Sequence, residues 1–269
     1  ISACLVGSEM CIRDRHKDDV LEIMESKGVN RRDFIKYCTL VTSVLGLAPT
    51  MIPRVAQAVT AKERPTVIWL QFAECTGCSE ALLRTTYPWV DDLVLEVLNI
   101  AYHETIMAPS GEAAEKSLHD AMEKYKGKYI LLCEGGIPMK DGGIYGKVGG
   151  KTMLEIAKAA TKDALATVCI GTCACFGGVQ AAKPNPTEAV SVAKATGAKT
   201  INIAGCPPNA INIVATVVHY LLLGKLPATD KSGRPLFAYG KLIHDDCPRR
   251  SHYENKEYVK KFGDEGAQK

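Results

Sequence analysis

The sequence predicts an α/β fold with a doubly wound parallel sheet, and three observations support this prediction. Five short apolar stretches between residues 66 and 205 are typical of buried strands. The segments between them have apolar residues at helical spacing and several end at glycine. Strand-like and helix-like stretches alternate along the chain, and such alternation implies a parallel sheet with helices on both faces.

The predicted elements follow one another with few interruptions. Strands are predicted at 66–72, 93–102, 129–134, 166–170 and 200–205. Helices are predicted at 110–127, 151–164, 187–197 and 208–224, the last of them long and apolar. From about Leu226 the chain becomes polar and rich in turn residues, so we expect no separate core there.

Composition narrows the class of protein. The chain has 269 residues, of which 46% are hydrophobic and 23% charged, and this is ordinary for a globular protein. A net charge of +3 with scattered basic residues argues against a nucleic-acid partner. Eleven cysteines are many for a cytosolic enzyme and too widely spread for a small disulfide scaffold. The composition therefore favours metal ligation.

The region before residue 59 has the features of an export signal. Paired arginines in "NRRDFIKYC" precede a short apolar stretch and then "VAQA", which ends at Ala58. The apolar stretch is well short of the roughly 20 residues that a membrane-spanning helix needs. We therefore expect residues 1–58 to be a leader with a twin-arginine signal that directs the chain to the periplasm. The alternative, an amphipathic surface helix, is disfavoured because no apolar stripe at helical spacing is evident.

Four cysteines follow predicted strands directly. Cys75 and Cys78 come after the first strand, Cys173 after the fourth and Cys206 after the fifth. Open parallel sheets bind ligands outside the carboxyl ends of their strands, so these loops should deliver four thiols to one edge. Four cysteines can hold a 4Fe–4S cluster or a structural zinc ion. Nearby glycines, which let backbone approach a bulky group, favour the cluster; they are Gly77, Gly171, Gly177, Gly178 and Gly205.

Other interpretations of these residues stay open. Cys75 and Cys78 could instead form a reducible disulfide. This alternative predicts a helix that begins at the pair, but it leaves Cys173 and Cys206 unexplained. Glu74 and Glu134 could either cap the turns near the cysteines or take part in proton movement. Three further cysteines are expected to pack in the core or near it; they are Cys133, Cys169 and Cys175. Cys4, Cys11 and Cys38 lie in the leader and are expected to have no chemical role.

The motifs resemble those of one known family. The chain contains, in order, "RRDFIKYC", "ECTGCSE", "CEGGIP", "GTCACFGGVQAAKPNP", "GCPPN" and "HDDCPRR". From about His16 to its end it resembles the small subunit of periplasmic nickel–iron hydrogenases. A related alternative, the cluster subunit of quinone-reducing respiratory complexes, typically has adjacent cysteines at the first motif and no twin-arginine signal.

The resemblance implies a flavodoxin-like domain at 59–225 in which Cys75, Cys78, Cys173 and Cys206 bind a proximal 4Fe–4S cluster. His244 and Cys247 would be two ligands of a distal 4Fe–4S cluster, and the family also carries a 3Fe–4S cluster. The resemblance implies a large-subunit partner, which holds the nickel–iron centre, and a cytochrome as electron acceptor. No catalytic residue is expected in this chain, which would be inactive alone.

Two departures from the family pattern are visible. Oxygen-tolerant relatives have extra cysteines where this chain has Gly77 and Gly178, so the proximal site is expected to be of the oxygen-sensitive kind. Family members also continue past the position of Lys269, so residues 226–269 are expected to be the start of a truncated C-terminal cluster domain.

Overall fold

The computed structural model describes residues 31–59, 64–85 and 98–264. Its main sheet has five parallel strands in the order β2-β1-β3-β6-β7, and a separate antiparallel hairpin joins β4 and β5. The strands are β1 (Thr66–Gln71), β2 (Asn99–His103), β3 (Ile130–Glu134), β4 (Lys147–Val148), β5 (Lys151–Thr152), β6 (Ala166–Ile170) and β7 (Thr200–Ile203). Counted along the chain, the main-sheet order is 2-1-3-4-5, which is the flavodoxin-like order and confirms the predicted fold class.

Ten α-helices occur in the described ranges. They are α1 (Arg31–Val44), α2 (Ile52–Val59), α3 (Gly77–Leu83), α4 (Glu112–Lys124), α5 (Met153–Lys162), α6 (Gly171–Phe176), α7 (Val192–Thr196), α8 (Ala210–Leu223), α9 (Leu236–Tyr239) and α10 (Arg250–Glu254). Within these ranges, no helix combines the length and the apolarity needed to cross a membrane.

Two predicted elements differ from the structure. The strand predicted at 93–102 is observed from Asn99, and residues 93–97 of that prediction lie outside the described residues. The helix predicted at 187–197 begins only at Val192. Val190 instead pairs with Ile137 in an isolated bridge, and the Ser191 side chain then accepts a hydrogen bond from the Lys194 N–H and caps the helix.

Both faces of the main sheet are buried. On one face Val67, Trp69 and Leu132 pack with α8 in a single apolar cluster. On the other face Ile68 and Leu131 pack with residues of α4, α5 and α7. Successive residues of a strand point to opposite faces, so the continuous apolar runs read from the sequence supply both clusters.

The expectation that the leader lacks an apolar stripe is wrong. α1 buries one stripe at helical spacing, and its members are Phe34, Tyr37, Cys38 and Val41, with Leu45 directly after the helix. The stripe belongs to the same cluster as α8, and α1 packs against both α2 and α8. The sequence hid this periodicity because the outer face of α1 also carries two large apolar residues, Ile35 and Leu40.

The region after residue 226 is irregular, as predicted. Its described residues contribute only Pro227 and Pro235 to the buried set. Hydrogen bonds nevertheless attach its first part to the edge strand β7 and the loop after it. The Asn202 N–H donates to the Gly233 carbonyl at 2.8 Å, and the Tyr239 hydroxyl donates to the Ala204 carbonyl at 2.7 Å.

A pair of neighbouring substitutions tests the packing of α1. Val41 is 0% exposed and Leu40 is 44% exposed, so Val41→Asp would bury a charge whereas Leu40→Asp would not. We expect Val41→Asp to speed proteolysis within residues 31–59 by about tenfold or more, because burying a charge costs at least roughly 1–3 kcal/mol. The Leu40→Asp variant should be cleaved at nearly the wild-type rate. Limited proteolysis followed by mass spectrometry measures both rates. Equal rates for the two variants would contradict the observed packing.

Candidate metal centre

The four predicted cysteines all lie at the carboxyl edge of the main sheet. Cys75 and Cys78 follow β1, and α3 begins between them at Gly77. Cys173 lies in α6, which starts directly where β6 ends, and Cys206 lies in the loop after β7. Cys75 and Cys206 are exposed, and Cys78 and Cys173 are partly buried.

Neighbouring glycines lie directly against the thiols. A Cβ atom at Gly178 would be 2.5 Å from the Cys173 Sγ, and one at Gly171 would overlap the Cys78 Sγ. Gly171 belongs to the segment that presents Cys173, so this segment and the first cysteine loop are in direct contact. The backbone φ is +84° at Gly171 and +66° at Gly178, and such positive values favour glycine.

The four thiols also influence one another electrostatically. Burial is the largest cause that raises the pKa of Cys78, followed by the charges of Glu134, Cys173, Cys75 and Cys206. Burial likewise raises the pKa of Cys173, to which the charges of Cys206 and Cys75 contribute. The three cysteine loops, which follow β1, β6 and β7, therefore bring their thiols near Cys78.

Glu134 connects the first cysteine loop to the end of β3. Its carboxylate accepts hydrogen bonds from the backbone N–H of Cys78 at 2.9 Å and of Ser79 at 3.1 Å. It also accepts from the Ser79 hydroxyl at 2.6 Å and from the Trp69 indole N–H at 3.3 Å. Of the two interpretations left open for Glu134, these contacts support the capping of the turn.

Two further connections join the cysteine loops. The Gln180 Nε2 donates to the Ala73 carbonyl at 2.6 Å, and the Cys173 thiol lies 3.6 Å from the Gln180 Oε1. The Thr172 N–H donates to the Gly205 carbonyl at 2.8 Å, next to Cys206. Sequence reasoning did not find Gln180 or Thr172, because nothing local in the sequence marks a long-range hydrogen bond.

Glu74 has a different environment from Glu134. Its Oε1 accepts a hydrogen bond from the Thr76 hydroxyl at 3.1 Å, while its Oε2 is buried without a partner. Burial, and then the charge of Glu134, raise the pKa of Glu74 to about 7. An orphaned carboxyl oxygen beside Cys75 makes this edge of the sheet polar as well as rich in thiols.

The alternative uses of the cysteines can be compared with this geometry. A helix does begin at the Cys75–Cys78 pair, as the disulfide alternative requires, but every cysteine in the described ranges is a free thiol. Within those ranges, no three His, Cys, Asp or Glu side chains are arranged to hold a single metal ion. Neither feature decides between the alternatives. The contact of Cys78 with the segment that carries Cys173 brings these two loops together, which the disulfide alternative does not require.

Cys133, Cys169 and Cys175 are buried, as predicted, and so is Cys38, which was expected only to lie in the leader. Cys133 and Cys169 are register partners in β3 and β6, and both are fully buried. Cys175 is buried as well, and its thiol donates to the Cys169 carbonyl at 3.4 Å. Cys38 is buried within the stripe of α1, and burial raises its pKa to about 12.

His244 and Cys247 lie together outside the sheet. The Cys247 N–H donates to the His244 carbonyl at 3.5 Å, so the two residues share one turn. The exposed His244 ring packs edge-on against Tyr253, with ring centroids 4.9 Å apart. No described contact connects this turn with the four cysteines at the sheet edge.

Comparison with known proteins assigns this arrangement to a class. The family model described as "NADH ubiquinone oxidoreductase, 20 Kd subunit" matches residues 75–220, which contain all four cysteines of the sheet edge. The match covers more than half of the chain.

Individual relatives narrow the class. The chain is 51% identical over 253 residues to the periplasmic [NiFe] hydrogenase small subunit of Solidesulfovibrio fructosivorans, covering 94% of this chain and 80% of that protein. It is 49% identical to the quinone-reactive Ni/Fe-hydrogenase small chain of Wolinella succinogenes, covering 92% of this chain and 70% of that one. The reduced Ni-Fe-Se hydrogenase of Desulfomicrobium baculatum superposes with a TM-score of 0.72 at 35% identity, over 75% of this chain and 80% of that chain. The chain belongs to the nickel–iron hydrogenase small subunits.

Two glycine substitutions test whether backbone contact positions Cys78. Gly171 and Gly197 both have a left-handed φ, but a Cβ would meet the Cys78 Sγ at Gly171 and nothing within 4 Å at Gly197. Alanine at either position should cost about 1 kcal/mol of backbone strain, and Gly171→Ala should cost roughly 1–3 kcal/mol more through overpacking. We also expect Gly171→Ala alone to speed alkylation of the displaced Cys78 thiol. Denaturant unfolding and mass-spectrometric alkylation measure both effects, and identical behaviour of the two variants would refute the contact.

Proposed function

We propose that this chain is the electron-transfer subunit of a nickel–iron hydrogenase and that Cys75, Cys78, Cys173 and Cys206 bind its proximal 4Fe–4S cluster. The observation that carries the proposal is the placement of four cysteines, from three sequence-distant loops, at the carboxyl edge of one parallel sheet. When bound, such a cluster takes up and passes on single electrons.

The residues at the sheet edge fit a cluster of this kind. Four thiols are the usual ligand set, and Gly171 and Gly178 leave the room that the sulfur atoms of Cys78 and Cys173 occupy. The protein itself would position the sulfur atoms and exclude competing ligands. It would also adjust the reduction potential through hydrogen bonds and burial.

The hydrogen chemistry is assigned to a partner. The relatives are named as small subunits or small chains, and a large subunit would hold the nickel–iron centre. This chain would receive electrons from that subunit and deliver them to a cytochrome. His244 and Cys247 would contribute to a distal 4Fe–4S cluster. A 3Fe–4S cluster would complete the chain of electron carriers, as the resemblance implies.

Anaerobic reconstitution with iron and sulfide tests the proximal site. We expect about four irons and four sulfides per chain and a brown protein, because His244 and Cys247 alone cannot complete a second cluster. Cys206→Ser should lose most of the iron, since it removes an exposed ligand without disturbing the core. The matched variant Cys247→Ser should keep it.

Three outcomes would contradict this proposal. Unchanged iron in Cys206→Ser would remove that residue from the ligand set. A colourless chain that holds zinc would favour the structural alternative. About eight irons per chain, with half lost in Cys247→Ser, would show a second cluster assembled within this chain.

We further propose export to the periplasm by the twin-arginine route, supported by "RRDFIKYC" and by the name of the Solidesulfovibrio relative. Replacing Arg31 and Arg32 together with lysine keeps the charge but removes the guanidinium groups. We expect the precursor to accumulate in the cytoplasm, as measured by fractionation and immunoblotting. Lys36→Arg, a change of the opposite kind in the same segment, serves as the control. Undiminished periplasmic protein in the double variant would point to another route.

A further inference from the structure

We infer that Glu134 is a positioning residue for the proximal site, which holds Cys78 through the backbone and places a fixed negative charge beside the cluster. This inference rests on the proposed function. Glu134 is 1% exposed and is the last residue of β3, the strand between β1 and β6. The two strands beside β3 lead to Cys75 with Cys78 and to Cys173, so Glu134 lies between the loops that carry them.

The Glu134 carboxylate accepts hydrogen bonds from Cys78, Ser79 and Trp69, and its acidic neighbour is Glu74. Oε1 accepts from the Cys78 N–H, and Oε2 accepts from the Ser79 N–H, the Ser79 hydroxyl and the Trp69 indole. None of the ion pairs among the described residues involves Glu134, so no basic side chain neutralises it there. A carboxylate has only acceptor oxygens, and four donors from Cys78, Ser79 and Trp69 are directed at this one.

The orientation of Ser79 supports this assignment. The Gln71 Nε2 donates to the Ser79 Oγ at 3.0 Å, so the hydroxyl proton of Ser79 is left to donate to Glu134. His103 Nδ1 accepts from the Thr105 N–H at 3.2 Å, which leaves the ring proton on Nε2, the nitrogen that lies 3.4 Å from the Ser79 Oγ. The side chains of Gln71 and His103 thus point their N–H groups at the Ser79 hydroxyl, and that hydroxyl donates its proton to the Glu134 carboxylate.

The location of the charge has a consequence for electron transfer. Coulomb interactions are stronger in a buried, low-dielectric site than in water. A negative charge bonded to the N–H of a proposed ligand disfavours the addition of an electron, so it should lower the reduction potential of the cluster. Removing the charge while keeping the side-chain size should therefore raise that potential.

Potentiometric titration of the reconstituted full chain, followed by electron paramagnetic resonance, tests this assignment. Glu134→Gln should keep wild-type iron content and raise the midpoint potential, with a changed resonance signal, because the amide cannot accept all the same donors. Glu80→Gln is the matched control. Glu80 lies one residue beyond Ser79 on α3, but its carboxylate is exposed and pairs with Arg84. The midpoint potential of the cluster in Glu80→Gln should equal that of the wild type.

The outcomes separate this inference from the proposed function. A wild-type chain that takes up no iron would refute the cluster site and, with it, the role of Glu134. Iron in both proteins with an unchanged or lower potential in Glu134→Gln would refute the role of Glu134 alone.

If Glu134→Gln fails to fold or to bind iron, Ser79→Ala decides the question. It removes one donor but keeps the charge, so the potential should fall. An unchanged or higher potential in Ser79→Ala would then overturn the assignment.

Discussion

The parallel pairing of β1, β3, β6 and β7 is the constraint on which the rest of the structure depends. Because these strands run in the same direction, every loop that follows one of them emerges at the same edge of the sheet. Three loops that are far apart in sequence therefore bring their cysteines together without any local motif longer than C-x-x-C. An antiparallel arrangement of the same segments would have sent alternate loops to opposite ends.

The loops at this edge are connected to one another by the protein itself. Glu134 joins the first cysteine loop to β3, and Gln180 joins the residue before that loop to the segment after α6. Thr172, at the start of α6, joins that helix to the loop before Cys206. Hydrogen bonds in a buried setting are costly to leave unsatisfied, so this set restrains the loops even without an inorganic group. Such preorganisation suits a site whose function is electron transfer, because little structural change is then needed when the charge of the site changes.

The N-terminal segment packs on the domain that follows it, because α1 buries its apolar stripe on the cluster that contains α8. The proposed twin-arginine signal would also have to be recognised by the export machinery. α8 is apolar around most of its circumference and is covered by the sheet on one side and by α1 and α2 on the other. The outer face of α1 remains at the surface, so Arg32 is exposed while Phe34 is buried.

The sequence by itself determined the fold class, the order of the main elements and the four cysteines of the sheet edge. These depend on local patterns, namely short apolar runs, helical spacing, glycine stops and the position of each cysteine after a strand. It also indicated that Cys133 and Cys169 are core residues, because both lie inside apolar strands.

Only the tertiary structure decided how α1 packs, where the helix before β7 begins and which side chains support the cysteine loops. The stripe of α1 became visible only once a partner surface was known, and the start of α7 depends on the pairing of Val190 with the distant Ile137. The contacts of Glu134 with Cys78 and of Gln180 with Ala73 span 56 and 107 residues of sequence. Their physical cause is spatial proximity created by the sheet, and a single sequence does not encode such proximity in any local pattern.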